Sequence, residues 1–549
     1  PLLHVAPLNT PLQARLETLG VIWHIVSIPV FACSFLGFLS LGWVFWLVVI
    51  LPYFIWWYGF DLHTPTNGKA VYRARNWIKN FIVWEWFVNY FPIRVHKTCE
   101  LEPTFTDVLV ESEEPADDEE DLISEDSRTL IDKIFKKLGL SKRLNDIDSS
   151  SPPPGNSSSL TPTKLKKYKR LSTGPRYIFG YHPHGVISMG AMGAFATNAL
   201  RNEPYEPPMK WLKPFFHDPS KGERILPGLG NVFPLTLTTQ FTIPFYRDYL
   251  LGLGLSSASA KNIKSLINNG DNSICLVVGG AQESLLNDMV TNQYKVGYGY
   301  KDKRLKNPDK THHIDEKPMG TVQGDDTTIK IKNNQSQTSE EQEELTFTGK
   351  PVPTKRQIQL VLNKRKGFVK LAIELGNVCL VPVFAFGEVD IYKLNIPKPG
   401  SWGYTFQRWM KSTFLFTLPF FSARGVFIYD FGIVPYRNPI NICLGKPIHI
   451  PANCLADYKA KHPEFENLDA VSSTDPNHPD YDLQKVLRSR SITNLFKINN
   501  QPKKSSVKTK IPPELLDRYH KLYIDELKRV YEDNKERFGY GDVELVIKE

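Results

Sequence analysis

Two histidines in His182-Pro183-His184-Gly185 are the residues whose type and spacing speak most directly of chemistry. In an extended segment, residues two apart face the same way, so both imidazoles can point into one site. Gly185 allows a tight turn into a following stretch made largely of Ala, Gly, Met and Ser. A helix beginning there would turn its free N–H groups and positive end toward the imidazoles, favouring the neutral form that a general base needs. The same motif also suits part of a metal site, although no third ligand stands nearby, or a pair of structural hydrogen-bonders at a strand end. A second cluster is Gly279-Gly280-Ala281-Gln282-Glu283-Ser284. Its glycines permit close backbone approach, and Glu283 could orient a histidine or hold a substrate hydroxyl. Alone, it reads as well as a plain turn with a solvated carboxylate. The third cluster is Arg365-Lys366-Gly367-Phe368-Val369-Lys370. Basic residues at a helix start suit phosphate groups. A solvated helix face would look the same.

These clusters need elements to position them. Residues 176–181 (RYIFGY), 273–278 (SICLVV) and 378–386 (VCLVPVFAF) predict buried strands. Residues 186–200, 256–268 and 364–375 predict helices. Strands alternating with helices imply an α/β fold, a mostly parallel sheet flanked by helices. Ligands bind at the carboxyl ends of strands in such sheets. Residues 511–549 predict a C-terminal helix, with Leu515, Leu516, Tyr519, Leu522, Tyr523, Leu527 and Val530 on one apolar stripe.

The 549-residue chain carries a formal charge of +9. That balance suits an anionic membrane surface or a polyanionic substrate. No nucleic-acid-binding motif is present, so nucleic acid is not an expected partner. The six cysteines have no CxxC pair or regular spacing, which argues against a disulfide framework and a zinc site. Behind an N-terminal tail (1–19), residues 20–60 contain no Asp, Glu, Lys or Arg. One membrane helix needs about 20 apolar residues. The block therefore predicts a transmembrane or re-entrant hairpin turning at 37–42, its basic flank (Lys69, Arg73, Arg75, Lys79) placing both ends in the cytosol. Residues 61–101 predict an interfacial segment, in which 76–91 lies among headgroups or packs as an ordinary amphipathic helix. Residues 102–172, 290–355 and 455–510 are polar insertions, the first two disordered by composition. They divide the folded domain into 173–289 and 356–454.

In this order the blocks resemble the type-2 diacylglycerol acyltransferases, with their monoacylglycerol and wax-alcohol relatives. Tyr90-Phe91-Pro92, His182-Pro183-His184-Gly185, Gly279-Gly280-x-x-Glu283, and the run from Arg365 through Val381-Pro382 to Phe386-Gly387-Glu388 carry the resemblance. Pro244-Phe245-Tyr246-Arg247-Asp248-Tyr249 adds to it. The insertions give a fungal look. The resemblance implies a glycerolipid-acyltransferase-like fold and acyl transfer from acyl-CoA, a co-substrate rather than a cofactor, onto diacylglycerol. It implies catalysis by His184 with His182 and Glu283. Substrate contacts would come from Gly185, Gly279, Gly280, Arg365, Gly367, Phe368, Lys370, Arg247, Tyr90, Phe91 and Pro92. The wider glycerolipid acyltransferases place an Asp five residues after the base histidine; here Met189 stands in that place and Ser188 precedes it. Glu283 is then the expected orienting partner. The implied setting is the endoplasmic reticulum membrane and the lipid-droplet surface, with membrane lipids as partners and a homo-oligomer left open. Monoacylglycerol, a fatty alcohol or a sterol are alternative acceptors. A non-catalytic droplet-coating hairpin protein is the alternative of another class.

Overall fold

A computed structural model describes residues 10–110, 167–284, 286–287, 290, 344–345, 351–352, 356–394, 400–406, 409, 421–427, 432–462 and 511–548. Two apolar helices come first, α1 (Leu12–Ser40) and α2 (Trp43–Thr66), each long and apolar enough to cross a membrane. They turn at Leu41 and Gly42, where Gly42 takes a φ of 94°. The hairpin begins earlier than residue 20: the expected tail from Leu12 onward is helical, and Glu17 pairs with Arg437 at 2.5 Å. The outer faces stay bare, with Trp43, Leu47, Val48, Leu51 and Ile55 all about half exposed or more. Water would penalise so much bare apolar surface, whereas a lipid bilayer would solvate it.

Helix α3 (Ile82–Tyr90) packs along α1. Trp84, Phe87 and Tyr90 are buried in the protein core. Of the two readings of 76–91, the packed amphipathic helix holds for these three rings, because burying them inside the protein satisfies the same apolar face that headgroups would, while Trp77 stays about half exposed.

The main sheet has eight strands: β1 (Arg94–Lys97), β2 (Arg176–His182), β3 (Val232–Thr236), β4 (Ser256–Ser257), β5 (Ser273–Val277), β6 (Val378–Phe386), β7 (Asn441–Leu444) and β8 (Ile448–Ile450). The order is β1-β7-β6-β2-β5-β3-β4, with β8 also on β6. Pairing is parallel from β6 through β2, β5 and β3 to β4; β7 and β8 pair antiparallel with β6, and β1, parallel to β7, runs in their direction. Alternation sorts the strands' side chains onto two cores. Ile178, Leu380 and Phe384 face one, with α6 (Ala260–Asn268), α7 (Gly367–Leu375) and α8 (Pro513–Asn534). Tyr177, Phe179, Tyr181, Val381 and Val383 face the other, with α1, α3 and the small helix α4 (Met189–Ala191), which continues as a wide turn over Met192–Ala196. The remaining numbered helix, α5 (Tyr246–Gly252), packs beside α1.

Five expectations need adjusting. The predicted helix over 186–200 is shorter, because Ser188 is still non-helical and Thr197 has returned to extended backbone. Residues 256–268 open with a two-residue strand before α6. The 102–172 insertion is ordered at both ends: Phe105–Val110 pairs antiparallel with Lys167–Ser172, forming a separate unit, while the acidic and Ser/Pro-rich stretch between lies outside the described residues. The 290–355 stretch likewise holds a two-strand pairing, Glu344–Leu345 with Pro351–Val352. The segment 511–549, expected as a helix, is helical only over Pro513–Asn534 and ends in a strand, Glu544–Lys548, which pairs in parallel with Gln357–Val361.

Candidate active site

The parallel register sets three chain segments side by side. Phe384 of β6 pairs with His182 of β2, and Tyr181 pairs with Val277 of β5. The segments that follow these strands therefore emerge from one edge of the sheet: 183–188, 278–284 and 387–391. That edge is the carboxyl end, where α/β sheets bind ligands.

His182 ends β2 and is fully buried. Its Nε2 lies 3.0 Å from the Tyr523 hydroxyl of α8, and its Nδ1 has no partner among the described residues. Burial pushes its pKa down to about 3, so the ring stays neutral. His184 is half-buried. Its Nδ1 lies 2.9 Å from the Gly185 carbonyl oxygen. A carbonyl only accepts, so Nδ1 carries the proton and Nε2 keeps its lone pair. Burial lowers the His184 pKa as well. The arrangement is that of a neutral imidazole whose basic nitrogen meets no partner among the described residues.

Glu283 does not meet either ring. One carboxylate oxygen accepts the His184 backbone N–H at 2.6 Å, and the other accepts the Val361 N–H at 3.0 Å. This corrects the expectation that Glu283 orients an imidazole: it fixes the main chain that carries His184. Its fold-back explains the first glycine, and the backbone conformation the second. A Cβ on Gly279 would lie 2.1 Å from the Glu283 carboxylate, and Gly280 takes a φ of +61°. Burial raises the Glu283 pKa to about 7; Arg365 pulls in the opposite direction.

A second buried carboxylate, Glu388, completes the clamp and was not expected. It accepts the N–H groups of Met189 at 2.8 Å and Gly190 at 3.0 Å, and the Tyr181 hydroxyl at 2.6 Å. Burial raises its pKa to about 7. Glu388 thus occupies the first N–H groups of α4, which the sequence had suggested would face the imidazoles. The space is close-fitting: a Cβ on Gly185 would meet Glu388 at 3.0 Å, and one on Gly190 would meet the Tyr181 hydroxyl at 2.2 Å. The signal for Glu388 was its place directly after a wholly apolar strand, where a carboxylate has to be buried or exceptional. Tyr523 gave no signal beyond one position on an apolar stripe.

The third cluster borders this site. Phe368 is buried, its ring 4.8 Å from that of Tyr523 in an edge-on contact. Arg365, Gly367 and Lys370 are exposed at the start of α7, and Gly367 has nothing near its missing Cβ. Two other expectations fail. Tyr90 is fully buried, its hydroxyl on the Pro435 carbonyl at 2.5 Å and its ring under Arg437; the Phe91 carbonyl accepts the Ile440 N–H at 3.0 Å. Tyr90 and Phe91 are thus packing residues of a turn in which Pro92 is partly exposed. Arg247 is fully buried too. It pairs with the Asp61 carboxylate, donates to the Asp61 carbonyl at 2.8 Å, and lies over the Trp57 ring. Asp248 accepts from Arg73 and Tyr53, both at 2.7 Å. This network fastens the end of α2 to α5 and commits both terminal nitrogens of Arg247 to Asp61, because a buried guanidinium needs its charge matched.

The family model described as diacylglycerol acyltransferase matches residues 39–111, 157–296 and 352–473. The chain belongs to the diacylglycerol acyltransferase family. Among its relatives, a Saccharomyces cerevisiae protein named diacylglycerol O-acyltransferase 1 is 33% identical over 98% of this chain and 88% of its own length. A Dictyostelium discoideum diacylglycerol O-acyltransferase 2 is 30% identical over 81% of this chain and 86% of its own. A Bos taurus 2-acylglycerol O-acyltransferase 1 is 24% identical over 99% and 98%. No solved structure matches the chain. The chain is therefore an acyltransferase, and a non-catalytic coat is set aside.

Proposed function

We propose that this enzyme transfers an acyl group from acyl-CoA to the free hydroxyl of diacylglycerol, forming triacylglycerol. The observation that carries the reading is the Nδ1 contact of His184 with the Gly185 carbonyl, which leaves Nε2 as a base at the carboxyl edge of the sheet. In the proposed step, Nε2 takes the hydroxyl proton as the oxygen attacks the thioester carbonyl. The tetrahedral intermediate collapses, the C–S bond breaks, and the imidazolium returns the proton to the coenzyme A thiolate. The thioester supplies the driving force, so the reading calls for no metal, prosthetic group or covalent acyl-enzyme. Glu283 and Glu388 hold the loop bearing the base, and His182 supports it from the strand. Arg365 and Lys370, exposed beside this loop, are proposed to take coenzyme A phosphates.

The hairpin supports a membrane enzyme with a lipid-dissolved acceptor and product. The reading places it in the endoplasmic reticulum membrane, its domain toward the cytosol, with access to lipid droplets; a glycerolipid-acyltransferase-like fold is part of the proposal. The resemblance to a 2-acylglycerol acyltransferase makes monoacylglycerol the second acceptor to test.

The test is an assay of purified protein in lipid with labelled oleoyl-CoA and diacylglycerol, monoacylglycerol, fatty alcohol and sterol, for wild type and His184→Ala. Labelled triacylglycerol from wild type, and a loss of at least about a hundredfold in the folded variant, is the expected result. Unchanged transfer in His184→Ala would remove His184 from the mechanism, and preference for another acceptor would reassign the substrate.

A further inference from the structure

We infer that Asp390 and Tyr540 form a positioning pair that locks the turn after β6 against the loop bearing His184, and so fixes the direction of the base; this rests on the proposed histidine mechanism. The turn begins at Gly387 and runs through Glu388–Ile391. Gly387 takes a φ of 96°, and a Cβ there would lie 2.1 Å from the Pro439 carbonyl oxygen. The next residue, Glu388, holds the start of α4.

Tyr540 lies just beyond α8, and both it and Asp390 are buried. The Gly387 N–H can only donate, so the Tyr540 oxygen accepts it, at 2.8 Å. The one proton of the tyrosine hydroxyl then goes to the Asp390 carboxylate. Burial raises the Tyr540 pKa well above the ordinary 10, so that proton stays in place. The other Asp390 carboxylate oxygen accepts the Val290 N–H at 2.7 Å, and the Asp390 carbonyl accepts the Asn438 side-chain amide. Asp390 thus ties together the turn after β6, the chain that continues from the Glu283 loop, and the C-terminal end. Glu283 and Glu388, the two carboxylates that clamp the site, stand on two of the segments so joined.

From this turn to the base is one contact. A Cβ on Gly185 would lie 3.0 Å from both the Cγ and the carbonyl oxygen of Glu388, so Gly185 rests directly on the turn. The Gly185 carbonyl in turn holds the Nδ1 proton of His184. If the turn moves, that carbonyl moves and the imidazole swings with it. A misplacement of about 1 Å at a reacting group costs on the order of a hundredfold in rate. Asp390 and Tyr540 are buried behind the turn, so their loss should fall on kcat rather than on the binding of acyl-CoA.

The experiment compares wild type, Tyr540→Phe, Asp390→Asn, the double variant, Tyr177→Phe and His184→Ala in full-length protein in lipid. The panel is oleoyl-CoA with diacylglycerol, monoacylglycerol, fatty alcohol and sterol, and kcat per folded molecule and KM are measured separately. Phenylalanine keeps the ring of Tyr540 and removes only the hydroxyl. The expected result is a fall in kcat of about tenfold in each single variant, the worth of one hydrogen bond, with KM for oleoyl-CoA within about twofold of wild type. The double variant should be no slower than the slower single variant, because the two residues act through one hydrogen bond. Tyr177→Phe is the control: its hydroxyl bonds the Glu102 carbonyl at 2.9 Å at the amino end of β2, so it should lower the melting temperature and leave kcat unchanged. An unchanged kcat in Tyr540→Phe, losses that multiply in the double variant, or an equal loss in Tyr177→Phe overturns the inference. If neither single variant folds, the pair is structural alone and the inference is likewise overturned. Wild type that transfers to none of the four acceptors, or His184→Ala as active as wild type, overturns the underlying reading instead.

Discussion

Glu388 sits at the intersection of stability and chemistry. Its carboxylate serves three donors, two backbone N–H groups and a tyrosine hydroxyl, inside a fully buried pocket. An amide in its place offers one oxygen and turns an NH2 toward donors. Burial lifts the Glu388 pKa from the ordinary 4.5 to about 7. A carboxyl whose folded pKa is raised binds its proton more tightly in the folded state. Its contribution to stability is therefore fully present below about 4.5 and is lost as the pH rises through about 7. Melting temperature should thus decline less steeply between pH 5 and 7.5 in Glu388→Gln than in wild type. Thermal melts across that range check it, and parallel curves would show that this carboxyl does not titrate there. At pH 8 the variant should also be less stable by roughly 1–3 kcal/mol, since a buried donor loses its acceptor.

At the scale of elements, the ion-pair network decides how the hairpin meets the domain. Arg247 lies on α5, its partner Asp61 near the end of α2, and Arg73 and Tyr53 reach Asp248 from either side. Removing one member of a buried pair strands the other charge, a loss of about 3–5 kcal/mol. Arg247→Ala should therefore lower the melting temperature in detergent and the yield of folded protein. A variant as stable as wild type would return Arg247 to the list of substrate-facing residues. The same scale explains the aromatics of α3. Periodicity shows that a helix has an apolar face, but it is silent about whether lipid or protein covers that face, and here α1 covers it.

For the molecule as a whole, the hairpin is a long stretch that protein packing leaves bare. Leu51 is 47% and Ile55 59% exposed, one turn apart on α2. Asp costs about 2.5–3.5 kcal/mol at the centre of a membrane helix. Leu51→Asp with Ile55→Asp should shift protein from the membrane pellet to the supernatant on alkaline carbonate extraction. Full retention in the pellet would mean that these faces do not lie in hydrocarbon. The rest of the molecule converges on one sheet edge. Segments far apart in sequence reach it: 182–190 from β2, 279–283 from β5, 388 from β6 and Tyr523 from α8.

The sequence by itself determined the apolar hairpin and its turn, the alternating α/β pattern, and the clustering of His182, His184 and Glu283 near strand ends. Each of these is written in local composition, periodicity or spacing, which the backbone must obey wherever the segment lies. Only the tertiary structure decided what each functional group touches. It gave Glu283 to the His184 backbone rather than to a ring, Glu388 to the start of α4, and Tyr523 to His182. It placed Arg247, Tyr90 and Phe91 in buried packing. A hydrogen bond between residues 341 apart, such as that of His182 with Tyr523, depends on strand order and helix placement, which no local pattern carries.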